Sequence, residues 1–260
     1  MKLADIRAQL EELSPEKFAL SYDNVGLLAG RSDRDVSRVF IAVDATDAVV
    51  DDAIRAEVDL LLTHHPLIFH GLKHVTDEDF TGRRILKLIE NQISLIAMHT
   101  NFDVMGMADA AADELGLGNR EVLDVTWEDD LAREGIGRVG CLSREMTLLE
   151  CAELVKGVFH IDAVRLFGEQ NRRIRIAAVC PGSGKSVVET AIAAGADVLI
   201  TGDIDHHTGI DAVAQGLSII DAGHYGLEKL FIPYMKDVFR RQMPGVEVIA
   251  AVEQEPFATV

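Results

Sequence analysis

Short apolar runs recur along the chain and predict buried β-strands. Each run is rich in Val, Ile, Leu and Ala and lacks the strict alternation of a strand that is exposed on one face. The runs lie at 38–45, 58–65, 93–100, 174–181, 196–203, 217–224 and 246–253. Near-continuous apolar strands are typical of sheets that helices cover on both faces.

Helical patterns separate these apolar runs. Two clear cases are "DAVVDDAIRAE" at 47–57 and "SVVETAIAAGA" at 186–196. Strands that alternate with helices form βαβ units, whose strands are parallel. We therefore predict an α/β fold with mainly parallel or mixed sheets. The N-terminal "MKLADIRAQLEEL" predicts a further amphipathic helix, because its acidic residues do not fit a signal peptide.

Two stretches of the chain share one plan and indicate an internal repeat. Each consists of a strand, a turn, a helix and a second strand, at 38–66 and at 173–204. Each then leads to a third strand, in "NQISLIAMHTNFD" (91–103) and in "AQGLSIIDAGHYGLE" (214–228). The repeat predicts two related α/β lobes.

The segment "DVTWEDDLAREGIG" (124–137) interrupts the strand–helix pattern with charged residues and glycine. We interpret it as the boundary between the lobes. The first lobe then comprises 1–125 plus 221–260, and the second, its repeat, comprises 126–220. The last helix, "GLEKLFIPYMKDVFRRQ", and the final strand are expected to pack on the first lobe.

Histidines and carboxylates stand at the ends of the predicted strands. A tandem pair follows "LLLT" at 60–63, and the third strand of each repeat ends in a His-x-x-x-carboxylate pair. The six residues are His64, His65, His99, Asp103, His224 and Glu228. The carboxyl ends of parallel strands are where open α/β sheets bind ligands, and residues four apart share a helix face.

These six residues together predict a metal site. A single histidine at a strand end is more often a satisfied polar residue, but a tandem pair and two repeat-related pairs favour ligands. Six donors exceed the four of a closed zinc site and suit two ions about 3.5–4 Å apart, with open positions for water. Mixed nitrogen and oxygen donors favour Zn, Mn, Fe, Co or Ni. We predict a dinuclear divalent-metal site in the cleft between the two lobes.

A second histidine pair lies in "TGDIDHHTG" at 201–209. The repeat aligns "TGD" with "THH", which places Asp203 either near the metal site or at the cap of the next helix. His206 and His207 are expected just outside the ligands, where they contact substrate or solvent. Beyond a metal-bound water, the sequence identifies no catalytic group.

The motif "PGSGKS" (181–186) resembles a phosphate-binding loop between a strand and a helix. The Walker pattern requires a glycine where Val179 stands, so the motif does not predict an ATPase. Two interpretations of this motif remain. The backbone N–H groups of Gly182, Ser183 and Gly184 could hold an anion, or the segment is a tight strand-to-helix turn without a ligand.

The amino-acid composition limits the classes of molecule that the protein is expected to bind. The 25 basic and 43 acidic residues give a formal net charge of −18, which argues against nucleic-acid binding but permits a small anionic substrate such as a nucleotide at a local metal site. The chain contains no apolar run long enough to predict a transmembrane helix. Cys141, Cys151 and Cys180 form no CxxC pair and predict buried free thiols in a reducing cytoplasm.

Several motifs, in their order along the chain, resemble those of the Nif-three-like dinuclear-metal family, also called the GTP cyclohydrolase 1 type 2 family. They are "YDNVGLLAG", "THHPLIF", "HTNFD", "GSGKS", "TGD" with "HH" close behind, and "GHYGLE". The resemblance extends from about Lys2 to Val252. Tyr22 stands where the family usually has tryptophan, and Lys185 where small residues are common.

The resemblance implies two metal ions per subunit, held by the same six residues, and a ring-shaped homohexamer. It also implies a metal-dependent hydrolase in which metal-activated water attacks a purine nucleotide or a phosphoester. The alternative is a non-catalytic metal-binding scaffold or regulatory partner protein, which would use the same ligands. Function depends on the site and not on the fold, so the resemblance does not fix the substrate.

Overall fold

The structure is a computed structural model that describes residues 1–252 and 255–258. Contacts between residues divide the chain into two units. The first unit comprises Met1–Phe102 and Phe231–Glu253, and the second comprises Asp103–Leu230 and Gln254–Val260. Each unit contains one β-sheet with helices, so the predicted α/β class is confirmed.

Each of the seven predicted runs forms a strand, and four further strands of the described residues, at 26–29, 118–128, 133–147 and 165–167, lie outside those runs. In chain order the strands are β1 (Gly26–Ala29), β2 (Arg38–Ala42), β3 (Leu60–Thr63), β4 (Ser94–Ala97), β5 (Gly118–Glu128), β6 (Arg133–Thr147), β7 (Arg165–Phe167), β8 (Arg173–Ser183), β9 (Val198–Gly202), β10 (Ser218–Asp221) and β11 (Glu247–Ala250).

The helices cover the sheets and connect their parallel strands. In chain order they are α1 (Leu3–Leu13), α2 (Asp47–Arg55), α3 (Phe80–Glu90), α4 (Thr100–Phe102), α5 (Ala108–Glu114), α6 (Leu148–Phe159), α7 (Val188–Ala193), α8 (His206–Ala214), α9 (His224–Glu228) and α10 (Phe231–Gln242). Short 3₁₀ helices span Glu16–Phe18 and Lys185–Val187, and a π-helix spans Asp103–Met107.

The sheet of the first unit has the strand order β1-β4-β3-β2-β11. β11, β2, β3 and β4 are parallel, and β1 runs antiparallel to β4. Every residue of β3 and β4 is buried. α10 and β11 belong to this unit. Parallel strands place their carboxyl ends at one edge of a sheet, so the residues that follow β3 and β4 become neighbours.

The sheet of the second unit has the order β5-β6-β8-β9-β10-β7. β8, β9 and β10 are parallel, and β7 runs antiparallel to β10. The order β1-β4-β3-β2 therefore recurs as β7-β10-β9-β8, which confirms that the two units are related. The two sheets differ in the strand that lies next to β2 or β8: β11 is parallel to β2, whereas β6 is antiparallel to β8.

Strand β8 shows that the second sheet is covered on both faces. Ala177 and Val179 pack in one apolar cluster, and Ala178 and Cys180 pack in another. Successive side chains of a strand point to opposite faces, so each face has its own core. This double burial explains why the sequence reads as a continuous apolar run rather than an alternating one.

The segment 124–137, predicted to divide the lobes, lies in the second unit. It forms much of the β5–β6 hairpin, in which Val125 pairs with Gly135. A Cβ atom at Gly135 would lie 1.9 Å from the carbonyl oxygen of Asp124, so the strand pairing itself requires glycine there. The predicted divisions at 125/126 and 220/221 fall inside β5 and β10, whereas the units divide after Phe102 and Leu230.

Within residues 1–252 and 255–258, none of the helices combines the length and the apolar composition needed to cross a bilayer.

Candidate metal centre

Three of the predicted ligands meet in the first unit. His64 and His65 follow the last residue of β3, and His99 follows β4 after Met98. One ring nitrogen from each of the three histidines lies within 4.8 Å of the other two. The ring centroids are 4.9 Å (His64–His65), 5.2 Å (His64–His99) and 5.4 Å (His65–His99) apart. The structure thus brings these three imidazoles together at the edge that the topology predicts.

The end of β3 explains how two adjacent histidines reach one place. In a regular strand their side chains would point to opposite faces. The strand ends at Thr63, whose Oγ1 donates a hydrogen bond to the carbonyl oxygen of His65 at 2.8 Å. The backbone N–H of His65 donates to Val43 at 2.9 Å, which holds the turned segment against the end of β2.

The ring of His64 is buried and has a fixed orientation. Its Nδ1 lies 2.7 Å from the carbonyl oxygen of Met98. A carbonyl oxygen only accepts hydrogen bonds, so Nδ1 carries the proton and the lone pair of the neutral ring lies on Nε2. This tautomer presents Nε2 as the atom that can bind a metal ion.

His65 and His99 are oriented by carboxylates. The Nδ1 of His65 lies 2.8 Å from Oδ1 of Asp44, and the Nδ1 of His99 lies 2.9 Å from Oδ1 of Asp23. Histidines that bind metals almost always donate the other ring N–H to a carboxylate or a carbonyl. The three rings therefore share the arrangement that leaves Nε2 for a metal.

Asp23 is the most firmly held of these acceptors. Its buried carboxylate also accepts from the backbone N–H of Thr100 at 3.0 Å, from the Thr100 hydroxyl and from the backbone N–H of Asn24 at 2.8 Å. Burial raises the pKa of Asp23, but the hydrogen bonds from His99 and Thr100 outweigh burial and lower the pKa to about 2. Asp23 is therefore ionised at neutral pH.

The other three predicted ligands lie in the second unit. His224 and Glu228 are the first and last residues of α9, and His224 Nε2 lies 3.0 Å from Glu228 Oε2. Their four-residue spacing places them on one helix face, as predicted. Asp103 begins the π-helix, and its carboxylate lies within 4.8 Å of the Glu228 carboxylate. π-helices occur frequently at functional sites.

Two glycines make room for α9. Gly182, at φ +78°, lies so close to Glu228 that a Cβ atom would stand 2.5 Å from Oε1. A Cβ atom at Gly202 would stand 2.5 Å from the backbone nitrogen of His224. The glycines of "PGSGKS" and "TGD" thus allow the backbone to approach two proposed ligands closely.

Asp203 contacts a proposed ligand and does not cap a helix. Its Oδ2 lies 2.7 Å from His224 Nδ1, and its backbone has the left-handed φ of +57° that aspartate tolerates. The cap of α8 is Asp205, whose carboxylate accepts from the backbone N–H of Thr208 at 3.0 Å. The fourth imidazole is therefore oriented by an aspartate, as His65 and His99 are.

A buried aspartate, Asp221, connects the loops that carry Asp203 and His224. Its carboxylate accepts from the backbone N–H groups of Ile204 and Gly223, both at 3.0 Å, and pairs with Arg165. These contacts fix the two loops at the carboxyl ends of β9 and β10. In the sequence, Asp221 looks like an ordinary strand-end residue, and no pattern distinguishes it.

The remaining polar motif residues lie outside these ligand groups. His206 and His207 are exposed on the first turn of α8. Gly184 donates its N–H to the carbonyl oxygen of Gly202 at 3.2 Å, so "PGSGKS" forms a tight turn between β8 and the helix. Lys185 pairs with the helix-capping Asp205 at 2.7 Å and lowers the pKa of that carboxyl.

The donor chemistry fits divalent transition metals. The first unit supplies three imidazoles, and the second supplies one imidazole and two carboxylates, which suit Zn, Mn, Fe, Co or Ni. No cysteine belongs to the groups of potential metal ligands among the described residues, and burial raises the pKa of Cys151 to about 12. Burial also raises the pKa of Cys180, and the negative charges of Asp103 and Glu228 act in the same direction.

Two topologically related α/β units, each with imidazole or carboxylate donors at its strand ends, define a class of candidate divalent-metal proteins. The family model Duf34/NIF3 (NGG1p interacting factor 3) matches residues 1–256, and the chain belongs to this family. A Clostridium perfringens protein named GTP cyclohydrolase 1 type 2 homolog is 36% identical over 261 residues, which cover 99% of each chain.

Solved structures agree with this assignment. A Bacillus cereus protein related to NIF3 superposes with a TM-score of 0.90 at 25% identity and covers 100% of this chain and 99% of its own. A Staphylococcus aureus protein superposes with a TM-score of 0.89 at 31% identity, with the same coverage. The resemblance in the sequence motifs is therefore confirmed over the whole fold.

Proposed function

We propose that this protein binds two divalent metal ions per chain and is a metal-dependent hydrolase of a purine nucleotide or a phosphoester. The proposed ligands are His64, His65, His99, Asp103, His224 and Glu228. The observation that supports the proposal best is the orientation of the imidazoles, each of which has its Nδ1 at a carbonyl or carboxylate oxygen. Such acceptors accompany nearly all metal-binding histidines.

The substrate class is supported by the names of relatives and by charge. Several curated relatives carry the name GTP cyclohydrolase 1 type 2 homolog. A net charge of −18 disfavours long polyanions but permits a small anion where cations offset the charge locally. Bound divalent ions supply Lewis-acid chemistry and lower the pKa of water from 15.7 toward about 7.

Metal content and turnover test the proposal in separate measurements. Elemental analysis of the purified full chain, loaded in turn with Zn²⁺, Mn²⁺, Fe²⁺, Co²⁺ and Ni²⁺, should give two ions per chain. Each loaded form is then assayed against GTP, other purine nucleotides and a panel of phosphoesters. Hydrolysis of one of these substrates that is lost with a chelator and restored by metal is the expected result.

Substitution of one ligand in each unit tests the assignment of ligands. His99→Ala and His224→Ala should each lose stoichiometric metal while the far-ultraviolet circular dichroism stays that of the wild type. His74→Ala, at an exposed histidine in the loop before α3, is the matched control and should keep both ions. Full metal retention in both ligand variants would refute the assignment.

The non-catalytic alternative predicts a different outcome from the same preparations. Its support is the family description, which names an interacting factor. Two ions per chain in a protein that hydrolyses none of the nucleotides or phosphoesters, with any loaded metal, would favour a metal-binding scaffold or regulatory partner over an enzyme.

The proposal includes a homo-oligomer, specifically a ring-shaped hexamer, which the family resemblance implies. Light scattering coupled to size exclusion would give a mass of about six chains, and a monomer would contradict it. It also includes a cytoplasmic location, supported by the free thiols of Cys141, Cys151 and Cys180.

A further inference from the structure

Three aspartates meet the proposed metal ligands in the same way. Asp44 contacts His65, Asp203 contacts His224, and Asp23 contacts His99, each through a carboxylate oxygen at 2.7–2.9 Å from Nδ1. Two of these contacts repeat a structural plan. In each unit, an aspartate that follows one parallel strand reaches the histidine that follows the adjacent strand, 21 residues later.

We propose that Asp23, Asp44 and Asp203 are positioning residues that raise the metal affinity of the histidines they contact, and that Asp23 contributes most. The inference rests on the metal binding proposed above. A carboxylate that accepts from Nδ1–H fixes the tautomer and the ring direction and makes Nε2 more basic. None of the three aspartates is needed as a ligand for this effect.

The solvent exposure of the three aspartates determines the predicted order of their effects on metal affinity. The side chain of Asp23 is 0% exposed, against 47% for Asp44 and 56% for Asp203. Water and salt screen an exposed charge much more than a buried one. The charge of Asp23 therefore acts on its imidazole with little screening, whereas the other two act through partly solvated contacts.

The contacts of Asp23 also fix its position. Thr100 donates to it through both the backbone N–H and the hydroxyl, and Asn24 donates through its backbone N–H. A carboxylate that cannot rotate holds the ring of His99 in one direction, so the entropy lost when a metal binds is smaller.

Asparagine substitutions remove the charge and keep one oxygen acceptor; at position 23 the amide nitrogen also replaces Oδ2, which accepts from Thr100, so Asp23→Asn is compared with Thr100→Val. An asparagine amide still accepts from Nδ1–H through its oxygen but carries no charge. The affinity of the full chain for Zn²⁺ is measured by competition with a chromophoric chelator, and the visible spectrum of bound Co²⁺ reports the ligand geometry. Asp205→Asn is the matched control, because Asp205 lies two residues from Asp203, contacts no proposed ligand, and asparagine caps helices equally well.

The expected result is an increase in the Zn²⁺ dissociation constant of about 10- to 100-fold for Asp23→Asn, with a changed Co²⁺ spectrum. Asp44→Asn and Asp203→Asn should show smaller increases, and Asp205→Asn none. Thr100→Val removes one hydrogen bond that fixes Asp23 but keeps its charge, so it should weaken Zn²⁺ binding less than Asp23→Asn does, whereas a purely structural role of Asp23 predicts that it reproduces the whole loss. Equal losses in Asp23→Asn and Thr100→Val would overturn the proposal.

Two other outcomes would also overturn it: Asp23→Asn binding Zn²⁺ as Asp205→Asn does, or the half-exposed aspartates having the larger effects. If Asp23→Asn does not fold, Asp44→Asn carries the test, because its half-exposed side chain leaves the fold largely unaffected. A wild-type chain that binds no metal contradicts the proposed function itself, which distinguishes that failure from a failure of this inference.

Discussion

The substitution Gly182→Ala is expected to displace one proposed ligand while the fold is kept. A Cβ atom at this position would stand 2.5 Å from Glu228 Oε1, whereas ordinary contact begins at 3.4 Å. The carboxylate must therefore move by about 0.9 Å, given those two distances. Ligand distances at metal sites are fixed to about 0.2 Å, so this movement removes the oxygen from bonding distance.

Because the displaced atom is Glu228 Oε1, the substitution should lower metal affinity more than it lowers the stability of the fold. Oε1 lies at the far end of a flexible side chain, so the clash is relieved without movement of the backbone. The left-handed backbone, with φ +78°, adds a strain of about 1–2 kcal/mol for a residue that has a Cβ atom. Metal affinity should then fall by at least about tenfold, with a modest loss of stability in the metal-free protein.

Gly195→Ala is the matched control for the strain. Gly195 has φ +72° and would place a Cβ atom with nothing within 4 Å. Urea unfolding of the metal-free proteins should show similar losses for both variants, and chelator competition should show weaker Zn²⁺ binding for Gly182→Ala alone. Equal Zn²⁺ affinity in the two variants would refute the placement of Glu228 as a ligand.

Two further predictions concern buried charges. Arg138, which is 5% exposed, donates to Asp109 and to the carbonyl oxygens of Gly135, Gly137 and Val104. Arg138→Met leaves these carbonyls unpaired and should cost about 1–3 kcal/mol in urea unfolding, and an unchanged stability would contradict this. Burial raises the pKa of Asp59, but hydrogen bonds from Ser37, Arg38 and Arg34 outweigh it, so the folded pKa lies below the ordinary value. The stability from a lowered pKa is present above the unfolded pKa of about 3.9 and is lost as pH falls through the folded pKa. Asp59→Asn should therefore be less stable than wild type near pH 7, by about 1 kcal/mol, and should lose less stability on acidification to about pH 3; equal losses in both proteins would contradict the assignment.

The sequence predicted the parallel strands and the proposed ligands because both depend on local patterns. β3 and β4 are apolar throughout since both faces of their sheet are covered, and strand ends are where polar residues interrupt such runs. The second His-x-x-x-carboxylate pair was recognisable because α9 places His224 and Glu228 on one face.

The features that escaped prediction depend on distant contacts. Asp23 meets His99 across 76 residues, and no periodicity links them. The glycines of 124–137 contributed to the prediction of a boundary between the lobes, although the close approach of β5 requires a glycine at 135. The division between the units after Phe102 falls where α4 continues directly into the π-helix, so no loop composition marks it.

The recurrent strand order places different side chains at corresponding positions of the two units. In the aligned strands "LLLTHH" and "VLITGD", Thr63 corresponds to Thr201 and His65 corresponds to Asp203. At this position the first unit has an imidazole of the proposed metal site, and the second has the carboxylate that contacts His224. The two units thus share a strand topology but place different chemistry at the same backbone position. Comparison of backbone positions therefore detects a correspondence that a search for repeated histidines would miss.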